Sequence, residues 1–225
     1  MADTTIQKQP TQKRTLILIG GGVPLLYQTL LTLFAFVAPE TTLPPAAWVS
    51  LHILTGILFT ICPLLAMYFS GLTLGEAWRA IGGRRVGLLD GSLAVLLGLL
   101  AILPLQWLYY VITYWLFGAS SDFGFSQSAQ DIVPFLLLVL VVAPLGEEAF
   151  FRGYLGSLGW KPWVFIIASS ILWSATHVDL LAFLPLLWTG IVFAFIRLRL
   201  QSFYPTLVLH ISINGLALLQ HFLVK

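Results

Sequence analysis

Apolar runs of roughly 20 residues recur along this chain, and nothing else in it limits the possible folds so strongly. A backbone crossing hydrocarbon must satisfy its own N–H and C=O groups, so such runs form helices or a closed barrel. These runs lack the polar alternation of barrel strands and are helix-length. Seven spans are expected, about Leu16–Val37, Trp48–Phe69, Leu93–Leu116, Ile132–Tyr154, Trp163–Thr176, Leu180–Ile196 and Tyr204–Leu223. The chain is 225 residues long, 59% hydrophobic and 9% charged, more apolar than a soluble domain of this size can bury. The fold class is therefore all-α, a polytopic membrane helix bundle. Pro104 and Pro185 fall inside spans and should kink them or mark a break.

Lys13 and Arg14 precede the first run, which exceeds the 7–15 residues usual for a signal-peptide core. It reads as a membrane helix. The expected organisation is a polar N-terminal tail over residues 1–15 and one transmembrane domain over residues 16–225. Charge alternates between successive loops. Lys8, Lys13 and Arg14, then Arg79, Arg84 and Arg85, then Arg152 and Lys161, then Arg197 and Arg199 fall on one side. The intervening loops hold Glu40, then Asp122 and Asp131, then Asp179. By the positive-inside rule the N-terminus is cytoplasmic and the C-terminus outside. Short loops point to a prokaryotic plasma (inner) membrane.

The net charge of +2 and the lack of a basic patch argue against nucleic acid, leaving the lipid bilayer as the expected environment. Cys62, inside an apolar run, reads as a buried structural thiol. Gly20, Gly21 and Gly22 lack the strand and lysine of a phosphate loop and read as close helix packing. Gly82, Gly83, Arg84 and Arg85 form a turn suited to topology or lipid-headgroup contact. Trp48, Trp107, Trp115, Trp160 and Trp163 fit interfacial belts, and His52 and His221 read as packing or interfacial residues.

Ionisable residues at bilayer depth cost roughly 2.5 kcal/mol or more each, so those present need a reason. The first three spans contribute only His52, whereas the last four hold Glu147, Glu148, Arg152, His177, His210 and Asn214. Glu148 and Arg152 stand i,i+4 on one helix face, close enough for a charge-assisted bond. Glu147 is turned about 100° away and points to another partner. His210 and Asn214 share a face at the same spacing, and His177 lies one turn beyond Trp173. Several helices thus offer two carboxylates, two imidazoles and an amide to one pocket. A carboxylate near an imidazole can take a proton from water, directly or with a metal lowering the water pKa toward about 7. An imidazole and a carboxamide can steady an oxyanion. No serine or cysteine has as convincing a base.

These residues resemble a known family. Gly-Glu147-Glu148-Ala-Phe-Phe-Arg152-Gly looks like the EExxxR motif of the CAAX protease and bacteriocin-processing (CPBP, Abi) intramembrane peptidases. Trp173 to His177 corresponds to that family's FxxxH element and His210 to Asn214 to its HxxxN element, in the family's order. The resemblance covers about residues 132–223, the peptidase core. It implies a hydrolase, an intramembrane endopeptidase whose catalytic residues are Glu147, Glu148, His177, His210 and Asn214, with Arg152 as structural support. Trp173 stands where the family usually has Phe and narrows the expected groove.

The resemblance leaves the cofactor open. A metalloprotease would hold a divalent metal such as zinc on Glu147, His177 and His210, although HExxH is absent. The eukaryotic Ras-converting members are compatible with a glutamate-activated water alone. The implied partner is a membrane-anchored peptide or protein substrate: a prenylated tail, a peptide pheromone or a bacteriocin precursor.

Each element read alone has a plainer explanation: an ion pair for Glu148 and Arg152, an interfacial histidine beside Asp179 for His177, interhelical hydrogen bonding for His210 and Asn214. Two other functions compete, a non-catalytic scaffold or bacteriocin self-immunity protein of the same fold, and a small proton-coupled transporter. Depth adds a constraint. His177 lies about 16 residues, roughly 24 Å, from Lys161, while His210 lies only about nine residues, roughly 14 Å, from Gln201. The two meet only if the fifth span starts late or tilts.

Overall fold

Among the described residues, Pro45, Pro162 and the glycines of the connecting turns punctuate a chain that is mostly helix. The computed structural model describes residues 10–37, 44–118, 132–177 and 179–223, and among these there is no strand. Glu40, Asp122 and Asp131 of the loop-charge reading, and residues 1–9 of the tail, lie outside the described residues, as does the His221 side chain.

Eight helices follow one another among the described residues. Helix α1 covers residues 10–37, α2 Pro45–Phe69, α3 Leu74–Ala80 and α4 Leu88–Phe117. Helix α5 covers Ile132–Ser157, α6 Pro162–Ala175, α7 Leu180–Leu200 and α8 Tyr204–Leu223. Among the described residues, five of them are long and apolar enough to cross a membrane, namely α1, α2, α4, α5 and α7. The chain is an integral membrane protein. Two of the seven expected spans fall outside that group. Helix α6 has only 14 residues, and the 20-residue α8 carries His210, Ser212, Asn214 and Gln220 among its apolar residues. Helix α1 is already helical at Pro10, ahead of the expected Leu16.

The prolines inside spans do not break them: α4 runs through Pro104 and α7 through Pro185. The irregularity lies elsewhere. Among the described residues three π-helical stretches interrupt the α-helices, Leu18–Gly22 in α1, and Leu138–Val142 and Glu148–Tyr154 in α5. Such wide turns are uncommon and frequently mark functional positions.

Close backbone approach sets where α5 sits. A Cβ on Gly146 would fall against the backbone of Gly56 in α2, and one on Gly56 would come within 2.7 Å of the Val142 carbonyl. A Cβ on Gly153 would meet the Ile81 carbonyl at 2.6 Å. These two glycines bracket Glu147 to Arg152 and clamp the segment against α2 and the turn after α3. Gly20 admits the Tyr154 ring, which would lie 2.6 Å from any Cβ there, and the Tyr154 hydroxyl donates to the Leu16 carbonyl. That agrees with the packing role expected of the Gly20 run.

The main core lies directly behind the motif. Phe150 stacks on Phe59 of α2 with ring centroids 4.8 Å apart, and Phe151 meets the same ring edge-on at 5.3 Å. Phe165, Phe203 and Tyr154 extend the same cluster. Cys62 is buried on α2. Trp107, Trp115 and Trp163 are exposed as expected of a belt, but Trp48 is buried against Phe34 and His52. An aromatic at the start of a helix reads as interfacial only if its neighbours leave it uncovered, and here α1 covers it.

Candidate active site

Helix α5 turns one face toward the aromatic core and the opposite one, carrying Glu147, Glu148 and Arg152, toward α6, α7 and α8. The two glutamates receive different surroundings. Glu148 is 0% exposed, and its Oε2 lies 3.6 Å from Arg152 Nε. Its Oε1 lies 3.2 Å from His210 Nδ1 of α8. Glu147 keeps 17% of its side chain exposed and accepts a hydrogen bond from the Trp173 indole N–H of α6. Its Oε2 also lies 3.9 Å from His210 Nε2. One imidazole therefore spans both carboxylates, Nδ1 to the sealed one and Nε2 toward the open one.

Arg152 is wholly buried. Its guanidinium carbon lies 4.6 Å from the Trp173 ring centroid and 5.2 Å from that of Phe193 in α7. Ring faces attract a cation and shield it from water, and Glu148 supplies the counter-charge. The guanidinium nitrogens make no hydrogen bond within 3.5 Å, so ion pairing and ring contact alone hold the charge. The ring pair is itself tied to the imidazole, with Trp173 5.6 Å and Phe193 5.5 Å from His210.

Asn214 works through the backbone. Its Nδ2 donates to the Val139 carbonyl at 2.9 Å. In the π-helical stretch the Ala143 N–H reaches back five residues to Leu138, so the next donor in register would be residue 144. That residue is Pro144, which has no N–H, and the Val139 carbonyl would otherwise be unpaired. Asn214 supplies the missing donor and pins α8 to α5 one turn from His210.

His177 is placed apart from this group. Helix α6 begins at Pro162 and ends at Ala175, so His177 falls in the turn beyond it. Its Nδ1 bonds the Trp173 carbonyl at 2.9 Å and its ring meets the Trp173 indole edge-on at 5.0 Å. Among the described residues it is joined to neither glutamate. The depth argument explains why: α6 starts early rather than late, so Trp173, four residues or about 6 Å lower, reaches the level of His210 instead. Asp179, expected beside it, caps α7 by accepting from the Leu181 and Ala182 amides.

This placement bears on the conditional metal set. Glu147 and His210 face each other, His177 Nδ1 is bonded to the Trp173 carbonyl, and His210 Nδ1 is engaged by Glu148. Among the described residues no three His, Cys, Asp or Glu side chains converge as metal ligands. The expected trio of Glu147, His177 and His210 does not fit a metal in this arrangement.

Two contributors escaped the sequence reading. Trp173 was expected only as a wall, yet a buried indole N–H normally finds a partner, which was the available signal. Phe193 is one apolar residue in an apolar run and gave none.

Residues 129–216 match the family model of Rce1-like proteins, described as type II CAAX prenyl endopeptidase Rce1-like. The match covers all three motifs and is consistent with the CPBP resemblance. A protein of Escherichia coli described as an uncharacterized 24.3 kDa protein is 29% identical over 101 residues, 41% of this chain and 46% of that protein. The chain thus spans about half the length of the curated relative it matches. No solved structure matches the chain.

Proposed function

We propose that this chain, whose late helices match the Rce1-like family, is an intramembrane endopeptidase that hydrolyses a peptide bond of a membrane-anchored, for example prenylated, peptide. The observation that carries the reading is the unequal pair: one glutamate sealed and neutralised, its neighbour open and facing an imidazole nitrogen.

Donation from His210 Nδ1–H to Glu148 fixes the tautomer and leaves Nε2 with a lone pair directed toward Glu147. A water held between Glu147 and that nitrogen can give one hydrogen bond to each and turn an oxygen lone pair toward a substrate carbonyl. Glu147 takes the proton as the water oxygen attacks the carbonyl carbon, and returns it to the leaving amine. Glu148 orients the imidazole, Arg152 keeps Glu148 ionised in a dry setting, and Trp173 aims Glu147. Asn214 and His177 act as positioning residues, Asn214 through Val139 and His177 through Trp173. No step needs a metal. The orientation with the N-terminus in the cytoplasm, and residence in a prokaryotic inner membrane, belong to the same proposal.

The test uses the full chain reconstituted in liposomes with a panel of membrane-tethered peptides, prenylated and unprenylated, read by mass spectrometry of the products. Wild type is expected to cut at least one, and Glu147→Ala and Glu148→Ala to cut none. Cleavage by both variants at the wild-type rate would sink the mechanism.

A further inference from the structure

A second buried arginine lies at the end of the bundle formed by the α3–α4 turn, the end of α5 and the end of α7. Arg197 is 5% exposed, and its Nε is buried without a hydrogen-bond partner. Every ion pair among the described residues belongs to the two active-site glutamates, so no carboxylate lies within 4.0 Å of Arg197. Burying a guanidinium without a counter-charge is costly, and a bound anion would offset that cost.

The surroundings are shaped to the guanidinium. Gly82 has φ +95°, and a Cβ there would lie 2.7 Å from both Nε and Nη2 of Arg197. Glycine satisfies both demands of that position, the left-handed backbone and the missing side chain. A Cβ on Gly156 of α5 would lie 3.3 Å from the Phe165 ring and 3.9 Å from the Arg197 Nε, so this glycine also borders the guanidinium. The turn is held by Phe203 N–H donating to the Gly82 carbonyl at 3.1 Å and Ser202 Oγ donating to the Arg84 carbonyl at 2.6 Å. Arg84 is exposed beside it, with its Nε spent on the Arg79 carbonyl and its terminal nitrogens left for an outside partner.

The plainer role for Arg197 is to offset the dipole of the α7 C-terminus. That role needs neither burial nor a glycine cradle, and Arg199 fills it from an exposed position. The loops here carry Arg79, Arg84, Arg85, Lys161 and Arg199 besides Arg197, against only Glu76 and Asp90, and Glu76 is occupied in a capping box with Thr73. Exposed Trp160 and Trp163 mark the same end as a membrane interface.

We propose that Arg197 and Arg84, seated on Gly82, bind a phosphate-bearing anion at this end of the bundle. The guanidinium fork suits a phosphate, and the source is either a phospholipid headgroup or soluble phosphate.

The test follows the unfolding midpoint of the full chain in neutral detergent micelles. Phosphatidylglycerol is compared with phosphatidylcholine, and inorganic phosphate with sodium chloride of equal ionic strength. A rise of about 2–4 °C with phosphatidylglycerol alone supports the site with a lipid source, and a rise with both anions supports it with a soluble source. The rise is expected to vanish in Arg197→Gln and in Arg84→Gln. Arg84 is exposed, so its variant keeps the fold and decides the matter should Arg197→Gln fail to fold. No rise in wild type, or an equal rise in Arg84→Gln, overturns the proposal.

Discussion

The two sides of the proposed catalytic centre differ more than their shared imidazole suggests. On the inner side Glu148 and Arg152 are fully buried between Trp173 and Phe193, a dry ion pair whose charges answer each other. On the outer side Glu147 keeps solvent contact, one indole donor and a gap of 3.9 Å to His210 Nε2. The same residue type at adjacent positions thus serves two ends. Burial with a counter-charge suits a carboxylate to support, and in the proposed mechanism partial exposure beside the second imidazole nitrogen lets the other move a proton.

The contrast breaks most visibly on the inner side. Arg152→Met leaves Glu148 without its counter-charge in a dry site, with the His210 hydrogen bond remaining, and is expected to cost about 3–5 kcal/mol in denaturant unfolding. A variant as stable as wild type would show that the pair is not sealed. Next in size are the contacts that hold the motif in place. Gly146→Val forces a side chain into the Gly56 backbone and is expected to cost about 1–3 kcal/mol. Asn214→Leu leaves the Val139 carbonyl without a donor, at about 1–3 kcal/mol, and lowers cleavage by displacing His210. If Asn214→Leu matched wild type in both readouts, the Pro144 argument would fail.

The outer side is probed by Trp173→Phe, which keeps a ring over Arg152 and removes only the donor to Glu147. About 1 kcal/mol of stability should be lost, with a larger effect on kcat than on KM. Smallest is a contrast far from the site. The Thr73 amide, the Thr73 hydroxyl and Arg79 hold the Glu76 carboxyl below its ordinary 4.5. A depressed folded value means its contribution is present above the unfolded value and lost as pH falls through the folded one. Melting curves of Glu76→Gln and wild type should therefore differ slightly at neutral pH and converge in acid.

How much of this was readable beforehand follows from which interactions are local. Apolar runs declare membrane helices whatever their neighbours, so the fold class was legible. The i,i+4 placing of Glu148 and Arg152 is a property of one helix, and the ion pair followed. Helix ends were less legible. Whether Trp173 or His177 reaches the level of His210 depends on where α6 starts, and Pro162 sets that with α6 shorter than a full span. The π-helical turns and the bond from Asn214 to Val139 needed two helices in register. Pro144 signalled a missing donor, but not which side chain would replace it. Phe193 was invisible because its role lies in position alone.

The central claim is that Glu147, and not Glu148, moves the proton. Cleavage rate and unfolding midpoint, measured on one preparation of Glu147→Gln, test it most directly. The account predicts a fall in single-turnover cleavage of roughly 10²–10⁴-fold with the midpoint close to wild type. Wild-type cleavage by that variant would contradict it.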